Sequence, residues 1–570
     1  MREQPDRLAY RFMADGTSES AVDWSYGDVG AHASSVADDL RARGLAGRGA
    51  RVMIALDPGL DYVAAIYGVL LAGAVAVPAL PPDGRRTMAR FRTIVGDCRP
   101  ELILAGERFA QRRDEFEAGL VADVSPPEWR FDGYTASTAA LFEMRPASYG
   151  GMEGAALLQY TSGSTGEPKG IVLTHANLIS NCTALDRHTR PESCRVGCSW
   201  LPPYHDMGLM GTIMFSLYGG WPLVMFSPVH FVQQPVRWLR ALTEHGVTIS
   251  VAPNFAFDLC TDHIADDELS GLDMSALRQL FCGSEPVRLG TLERFRKRFE
   301  PFGYSAHAMI PCYGLAEATL FVSGKTVETP VRSASISRPT LEAGTVSLAA
   351  PESSQSTAIV SCGVVADGHE LVIADADGHR LGPNAVGEIW VHGPSVAMGY
   401  HNRPELTAAT FGARLSEAHD DHLYLRTGDL GFVLEGELFV VGRIKDIVII
   451  AGRNLYLQDV ERTVREAHAQ VRLAVSFAVD EGEEEHLVVV AEYRGAAHAL
   501  ATEAAEVQAS ILAGVVAEHG IRPADIHLAP VGAIQTTTSG KLRRRATRDL
   551  YLAGNLKSFT LDEADPALVG

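Results

Sequence analysis

Cysteine is scarce in this chain, with eight in 570 residues. The closest pair, Cys194 and Cys198, has neither a second pair nor a histidine cluster at zinc-site spacing. A disulfide-stapled scaffold and a zinc ribbon are excluded, and reduced, structural thiols are expected. Positive charge is also short. Fifty Lys and Arg stand against seventy Asp and Glu, a formal net charge of −20, so neither nucleic acid nor an anionic membrane is expected as the main partner. An uninterrupted membrane-length apolar run is missing too. The nearest approach, Val63 to Pro82, is broken by Gly68, Gly73 and Pro78, and reads as a buried helix entering a buried strand rather than a span. The opening MREQPDRLAY places acids and a proline where a secretory leader needs an apolar core, so a cytoplasmic protein is expected. There is no Walker pattern and no internal repeat.

What remains is an ordinary globular composition, 46% hydrophobic and 21% charged. The length predicts roughly three or four domains. Arg7 to Met13 reads as a strand. Ser25 with Asp28 forms a capping box for a helix carrying Val29, Val36 and Leu40 and stopping at Gly44, and Arg51 to Leu56 reads as a strand. This alternation predicts a parallel sheet with helices on its faces. It continues with a helix over Thr174 to Asn181, a strand at Leu223 to Phe226, a helix at Pro235 to His245, and strands at Thr248 to Val251 and Gln279 to Phe281. Val327 to Thr357, rich in Ser, Thr, Ala and Pro, reads as an inserted loop or hairpin. Glu370 to Ile373 and Glu388 to Val391 are strands of an all-β stretch. The pattern changes near Gly442 to a small α+β unit with a helix at Asp459 to Ala467, strands at Leu473 to Val479 and Leu487 to Tyr493, and a helix stripe at Val507, Ile511 and Val515.

The stretch with the clearest chemistry is LQYTSGSTGEPKG. Thr161, Ser162, Ser164 and Thr165 alternate with Gly163 and Gly166 ahead of Lys169. Glycines let the backbone approach an anion, hydroxyls donate to it, and a lysine adds mobile charge. Polyphosphate is the natural guest, and a plain Gly/Ser/Thr surface loop is the alternative. Six further motifs follow in order: SWLPPYHDMGLMG at Ser199, CGSEPVR at Cys282, CYGLAEATL at Cys312, YLRTGDLG at Tyr424, GRIKDIVIIAGRNLY at Gly442 and TTSGKLRRR at Thr537. This ordered set, spanning nearly the whole chain, resembles the adenylate-forming superfamily of acyl and aminoacyl activating enzymes. Within it the chain is similar to the fatty acyl-AMP ligases.

That resemblance implies an α/β fold. A large N-terminal domain, residues 1–441, would comprise two α/β subdomains and a β-rich subdomain and carry an insertion at 327–357. A hinge at 442–446 would lead to a small mobile α+β domain, 447–570. It implies ATP and Mg2+ as cofactors and activation of a fatty acid to its adenylate. The acyl group would then pass to the phosphopantetheine thiol of an acyl carrier protein, or of a carrier domain in a polyketide or peptide synthase. By resemblance Glu317 is the magnesium ligand, Asp429 accepts the ribose hydroxyls and Arg443 contacts ribose or phosphate. Tyr313 with the Gly283-Ser284-Glu285 turn forms the adenine slot, flanked by Gly314, Leu315 and Ala316. Lys541 stabilises charge developing on the α-phosphate and the carboxylate. His205 borders the carboxylate pocket as a wall, while Trp200, Met207, Met210 and Phe255 supply apolar bulk where an acyl tunnel is expected.

Two departures stand out. Ala316 replaces a threonine common in the wider superfamily, although acyl-AMP ligases share the alanine, and Leu457 stands where proline is expected. The insertion at Val327 to Thr357 resembles the one that separates acyl-AMP ligases from acyl-CoA ligases by restraining the small domain; a solvent loop is the other reading. Lys541, Arg543, Arg544, Arg545 and Arg548 offer a cationic surface for an acidic carrier protein, or simply a solvated helix face. A fatty acyl-CoA ligase, an inactive nucleotide-binding homologue and an amino-acid-selecting adenylation domain are the alternatives. The expected state is a monomer.

Overall fold

The computed structural model describes residues 4–47, 49–120, 127–130, 154–162, 168–189, 195–327, 329–353, 355–417, 422–450, 453–481, 484–494, 501–536 and 542–558. Two large sheets carry the N-terminal part. Seven strands form the first, in the order Gly399–Tyr400, Pro168–Thr174, Ala155–Ser162, Val75–Pro78, Arg51–Ala55, Leu102–Ala105 and Glu128–Arg130. Its last four strands run parallel, as the alternation predicts. The second sheet has nine strands around the parallel run Leu8–Met13, Leu223–Phe226, Gly197–Ser199, Ile249–Ala252, Gln279–Cys282 and Met309–Gly314. Its central strands are buried on both faces, which is why they read as short continuous apolar runs.

Helices fill the space between these sheets. The helix Tyr26–Ala42 starts where the sequence places it: Asp28 N–H donates to Ser25 Oγ at 3.1 Å and Ser25 N–H to Asp28 Oδ2 at 2.8 Å. Gly44 follows its end with φ of 70°. The membrane-like run resolves into the helix Leu60–Ala72, a left-handed Gly73 and the strand Val75–Pro78, with nearly every side chain inside the core. No helix of the described residues is long and apolar enough to cross a membrane.

One element differs from expectation. The supposed loop after Tyr160 belongs to a β-hairpin whose strands pair Tyr160 with Gly170 and Thr161 with Lys169. Pro168–Thr174 is buried except at the half-buried Lys169 and Val172, a strand hidden beside the glycines. The helix beyond it starts at His175, where Thr174 Oγ1 accepts the Asn177 N–H, and runs on to Thr189.

The β-rich part is an antiparallel sheet of Glu370–Ala374, Gly387–His392, Leu425–Leu434 and Glu437–Arg443. Beyond it come the hairpin Ile447–Ile450 with Arg453–Tyr456, the helices Leu457–Ala467 and Ala501–His519, and a three-stranded sheet of Val471–Glu481, Glu484–Tyr493 and Asp525–Pro530. Val507, Ile511 and Val515 are fully buried against that sheet. The inserted stretch is a hairpin of Ser333–Ser337 and Ser356–Val360 with a short helix, Arg338–Glu342. Its Ile336 and Leu341 share a core with Phe439 and Tyr456, so it is packed structure rather than a solvent loop.

The crossing of the first two long helices demands a glycine. A Cβ on Gly68 would lie 2.3 Å from Val36 Cβ and 2.7 Å from the Ala33 carbonyl. Gly68→Ala is expected to destabilise the N-terminal part by about 1–3 kcal/mol through overpacking. Its thermal midpoint would fall measurably, and an unchanged midpoint would show that the helices part freely.

Candidate active site

A cavity of about 550 Å3 opens where the carboxyl ends of the parallel strands meet the β-hairpin and the β-rich sheet. Such strand ends are the usual ligand crevice of open α/β sheets. Thr161 and Lys169, paired across the hairpin, line it on one side. Gly163, Ser164, Thr165 and Gly166 lie outside the described residues, as does Lys541; Ser162 is placed only through its backbone pairing with Pro168. Lys169 Nζ stands 5.2 Å from the centre of the Tyr400 ring. Burial first, and then the neighbouring Lys445, hold its pKa below the ordinary lysine value.

Another part of the wall is the turn after Met309–Gly314. Gly314 is required there, because a Cβ would sit 1.7 Å from the Leu320 carbonyl oxygen. Gly314, Leu315, Ala316 and Glu317 all face the cavity. Glu317 Oε1 accepts the Tyr400 hydroxyl at 2.9 Å, which also raises the Tyr400 pKa after the larger effect of burial. Thr319, buried with φ of 70°, is pinned by its hydroxyl donating to the Ser395 carbonyl at 2.6 Å.

Three chain segments converge on Asp429. The Tyr313 hydroxyl donates to Oδ2 at 2.8 Å, and Arg443 Nε approaches Oδ1 at 3.0 Å from the adjoining strand. Asp429 is 5% exposed; Tyr313 and Arg443 reach the cavity beside it. Burial and then the Asp429 charge push the Tyr313 phenol well above its usual range, while Asp429 holds Arg443 more firmly protonated. In the CGSEP turn only Ser284 faces the cavity, with φ of 74°. A Cβ on Gly283 would strike Cys312 Sγ at 2.8 Å, and the Glu285 carboxylate is turned to the Phe255 N–H at 3.3 Å.

His205 lines the cavity with Nδ1 2.6 Å from Asp206 Oδ1, an oxygen that also accepts the Met207 N–H. Beyond His205 the cavity continues as an apolar arm past Met207, Phe215, Leu223, Ile249 and Phe281. Of the four residues expected to line an acyl tunnel, only Met207 does so. Trp200 stacks on Phe231 at 3.8 Å and packs edge-on against Trp238 and Phe255, and Met210 is fully buried in the same core.

A second correction concerns the basic cluster. Arg544 forks onto Glu461 with both contacts at 2.7 Å and reaches Asp446 at 2.8 Å. Glu461 is 3% exposed, so Arg544 neutralises a buried acid rather than offering charge to a partner. Arg545, by contrast, is exposed. Sequence reasoning also missed Tyr400. Its only signal is an aromatic in GYHNRP, and its contact with Glu317 spans 83 residues of chain.

The β-hairpin, a carboxylate and a set of apolar side chains thus line one space, an arrangement that suits an adenylate-forming site. The comparisons agree. The family model described as AMP-binding enzyme matches residues 1–401. The medium-chain-fatty-acid–[acyl-carrier-protein] ligase JamA of Moorena producens is 36% identical, over 98% of this chain and 94% of its own. The long-chain-fatty-acid–AMP ligase FadD26 of Mycobacterium bovis is 34% identical, over 97% and 96%. A crystal structure of the Legionella pneumophila fatty acyl-adenylate ligase in complex with acyl adenylate and pyrophosphate superposes with a TM-score of 0.72 at 33% identity, covering 98% of this chain and 95% of that one. The chain belongs to the AMP-binding enzyme family and, within it, to the fatty acyl-AMP ligases.

The Asp429 cluster yields a test. Asp429→Asn removes the charge that balances Arg443, and charged hydrogen bonds of this kind are worth about 1.5–3 kcal/mol. The KM for ATP is expected to rise on the order of ten- to a hundredfold with the KM for the acid unmoved. Equal shifts in both would place Asp429 in the general fold.

Proposed function

We propose that the protein activates a fatty acid with ATP, releasing pyrophosphate, and passes the acyl group from the adenylate to the phosphopantetheine thiol of a carrier protein. The observation that carries this reading is the one cavity lined both by Lys169, Glu317 and Tyr313 and by the apolar side chains of Met207, Phe215, Leu223 and Ile249. Adenylation brings two anions together, the carboxylate and the α-phosphate, so positioning and charge stabilisation are the chemistry required. Lys169 and the hairpin hold the leaving phosphates. Asp429 takes the ribose hydroxyls, Tyr313 and the backbone of the Ser284 turn border the adenine, and Arg443 contacts ribose or phosphate. His205, steadied by Asp206, walls the acid's carboxylate, and Lys541 stabilises charge as the carboxylate oxygen bonds to the α-phosphorus and the α–β phosphoanhydride bond breaks, releasing intact pyrophosphate; the later attack of the thiol on the acyl carbon releases AMP.

The residues at the cavity wall fit a magnesium ion. Glu317 presents a hard carboxylate oxygen, and magnesium keeps water and phosphate oxygens for the rest of its shell. When bound there it neutralises the leaving phosphates. Lys541→Ala is expected to lower acyl-adenylate formation on the order of a hundred- to a thousandfold while ATP binding persists. The two are read by pyrophosphate exchange and by calorimetry, and near-normal exchange overturns the assignment.

Carrier thiol rather than CoA is the proposed acceptor, because the insertion braces the small C-terminal unit, which we take to turn about residues 442–446. Arg338 Nη1 donates to the Glu518 carbonyl at 2.5 Å, Asn454 Nδ2 to the Glu342 carbonyl at 2.9 Å and the Tyr456 hydroxyl to the Leu341 carbonyl at 3.3 Å. Since the insertion also supplies core residues, Arg338→Ala tests it better than deletion. Products from a fatty-acid panel offered CoA or holo carrier protein are read by mass spectrometry. Wild type is expected to load the carrier alone, and Arg338→Ala to gain acyl-CoA. A folded variant that makes acyl-adenylate and no acyl-CoA refutes the brace.

A further inference from the structure

We infer that Trp221 is the floor of the apolar arm and sets the length of acyl chain the enzyme accepts, an inference that rests on the fatty-acid reading above. The depth of the arm follows from strand register. Tyr313 and Gly314 close their strand, and Ser284 and Leu315 to Glu317 follow the carboxyl ends of theirs, whereas Gly197, Leu223 and Ile249 stand abreast at the amino ends of three adjoining parallel strands. All of them line one cavity. The arm therefore traverses the sheet face along three or four residues of strand, roughly 10–13 Å at 3.3 Å per residue. Trp221 lies two residues before Leu223, at the far end of that path, and is 4% exposed.

Packing alone holds the indole in place. Two glycines make room for it, since a Cβ on Gly219 would lie 2.3 Å from Trp221 Nε1 and one on Gly197 2.3 Å from Trp221 Cζ3. Behind it the Arg195 guanidinium stands 5.8 Å from the Trp221 ring centre and 5.6 Å from that of Phe215, anchored by Asp186 at 3.2 Å and Thr189 at 3.1 Å. Phe215 meets the indole edge-on at 5.3 Å. The indole N–H has no hydrogen-bond partner among the described residues. A group wedged at both tips and backed by a fixed cation has one free direction, into the arm. A tail longer than the arm meets the indole, and beyond it a buried charge that no hydrocarbon can solvate.

The geometry makes opposite predictions for two neighbouring substitutions. Trp221→Ala removes the floor and is expected to move the preferred straight-chain acid to greater length. Gly219→Ala, outside the cavity lining, forces the indole toward the substrate and is expected to shorten it. One methylene in an apolar pocket is worth about ten- to two-hundredfold in kcat/KM, so the ratio of longer to shorter acids should change at least roughly tenfold each way. In the double variant Gly219→Ala should add nothing, because the group it pushes is gone. Acyl-adenylate formation across a series of saturated acids measures all four proteins, with circular dichroism reporting the fold. Opposed shifts with no additional effect in the double variant support the inference. An unmoved optimum in folded Trp221→Ala, or a Gly219→Ala shift that persists in the double variant, overturns it. Should Trp221→Ala not fold, Trp221→Phe decides by the same sign, with a smaller lengthening expected. Wild-type enzyme that adenylates no acid of any length would instead sink the fatty-acid reading itself.

Discussion

A nearly dry carboxylate, Asp429, ties the molecule together. An isolated ion in that position would be heavily penalised, so it requires compensation, and the fold supplies it from two directions. Tyr313 arrives from the end of the nine-stranded sheet and Arg443 from the neighbouring strand of the β-rich sheet. Asp429 and Arg443 are also direct cross-strand partners, which places the arginine without a long, entropically expensive reach. Because Arg443 closes the last strand before the C-terminal unit, one buried charge sets the relation between the nucleotide wall, the β-rich sheet and the start of the small unit.

Much of the scaffold was legible because buried parallel strands and capped helices carry local signals. Ser25 with Asp28, the stop at Gly44 and the broken apolar run Val63 to Pro82 each needed only their neighbours. The site was legible for a different reason: its residues sit in ordered motifs, and the cavity gathers Thr161, Lys169, His205, Ser284, Tyr313, Glu317 and Arg443. What escaped were contacts closed by the fold over long separations. Tyr400 looks like any strand aromatic until the edge of the seven-stranded sheet brings it to Glu317. Three consecutive arginines at 543–545 look equivalent, yet only Arg544 forks onto Glu461 and Asp446. Trp200 reads as tunnel bulk from its motif, but its ring turns to Phe231 and away from the cavity.

The insertion shows how a weakly patterned sequence becomes a mechanical part. Its Ser-rich strands pair with each other, and two apolar side chains, Ile336 and Leu341, enter a core already formed by Phe439 and Tyr456. The same stretch exchanges hydrogen bonds with residues beyond 446: Arg338 donates to the Glu518 carbonyl, and Asn454 and Tyr456 donate to the insertion's own Glu342 and Leu341 carbonyls. Each of these bonds has a side-chain donor, Arg338 on the insertion and Asn454 and Tyr456 beyond residue 446, so the contact depends on those three residues. It also involves few bonds, each worth about 1 kcal/mol net, and so it biases an orientation without locking it.

The two ends of the cavity are stabilised by unlike forces, and this separates chemistry from selectivity. At the hairpin end the polar groups have polar partners: Tyr400 for Glu317, Tyr313 and Arg443 for Asp429, Asp206 for His205. A change there leaves a charge unpaired, at a penalty that reaches the reacting atoms. At the far end the wall is Phe215, Leu223, Ile249 and an indole with no hydrogen bond among the described residues, where a change at Leu223 or Ile249 alters shape alone. Apolar walls exchange volume for modest free energies, whereas a broken ion pair in a dry site does not. Tail length can therefore be retuned at the amino ends of the strands while the adenylating groups at the carboxyl ends stay as they are.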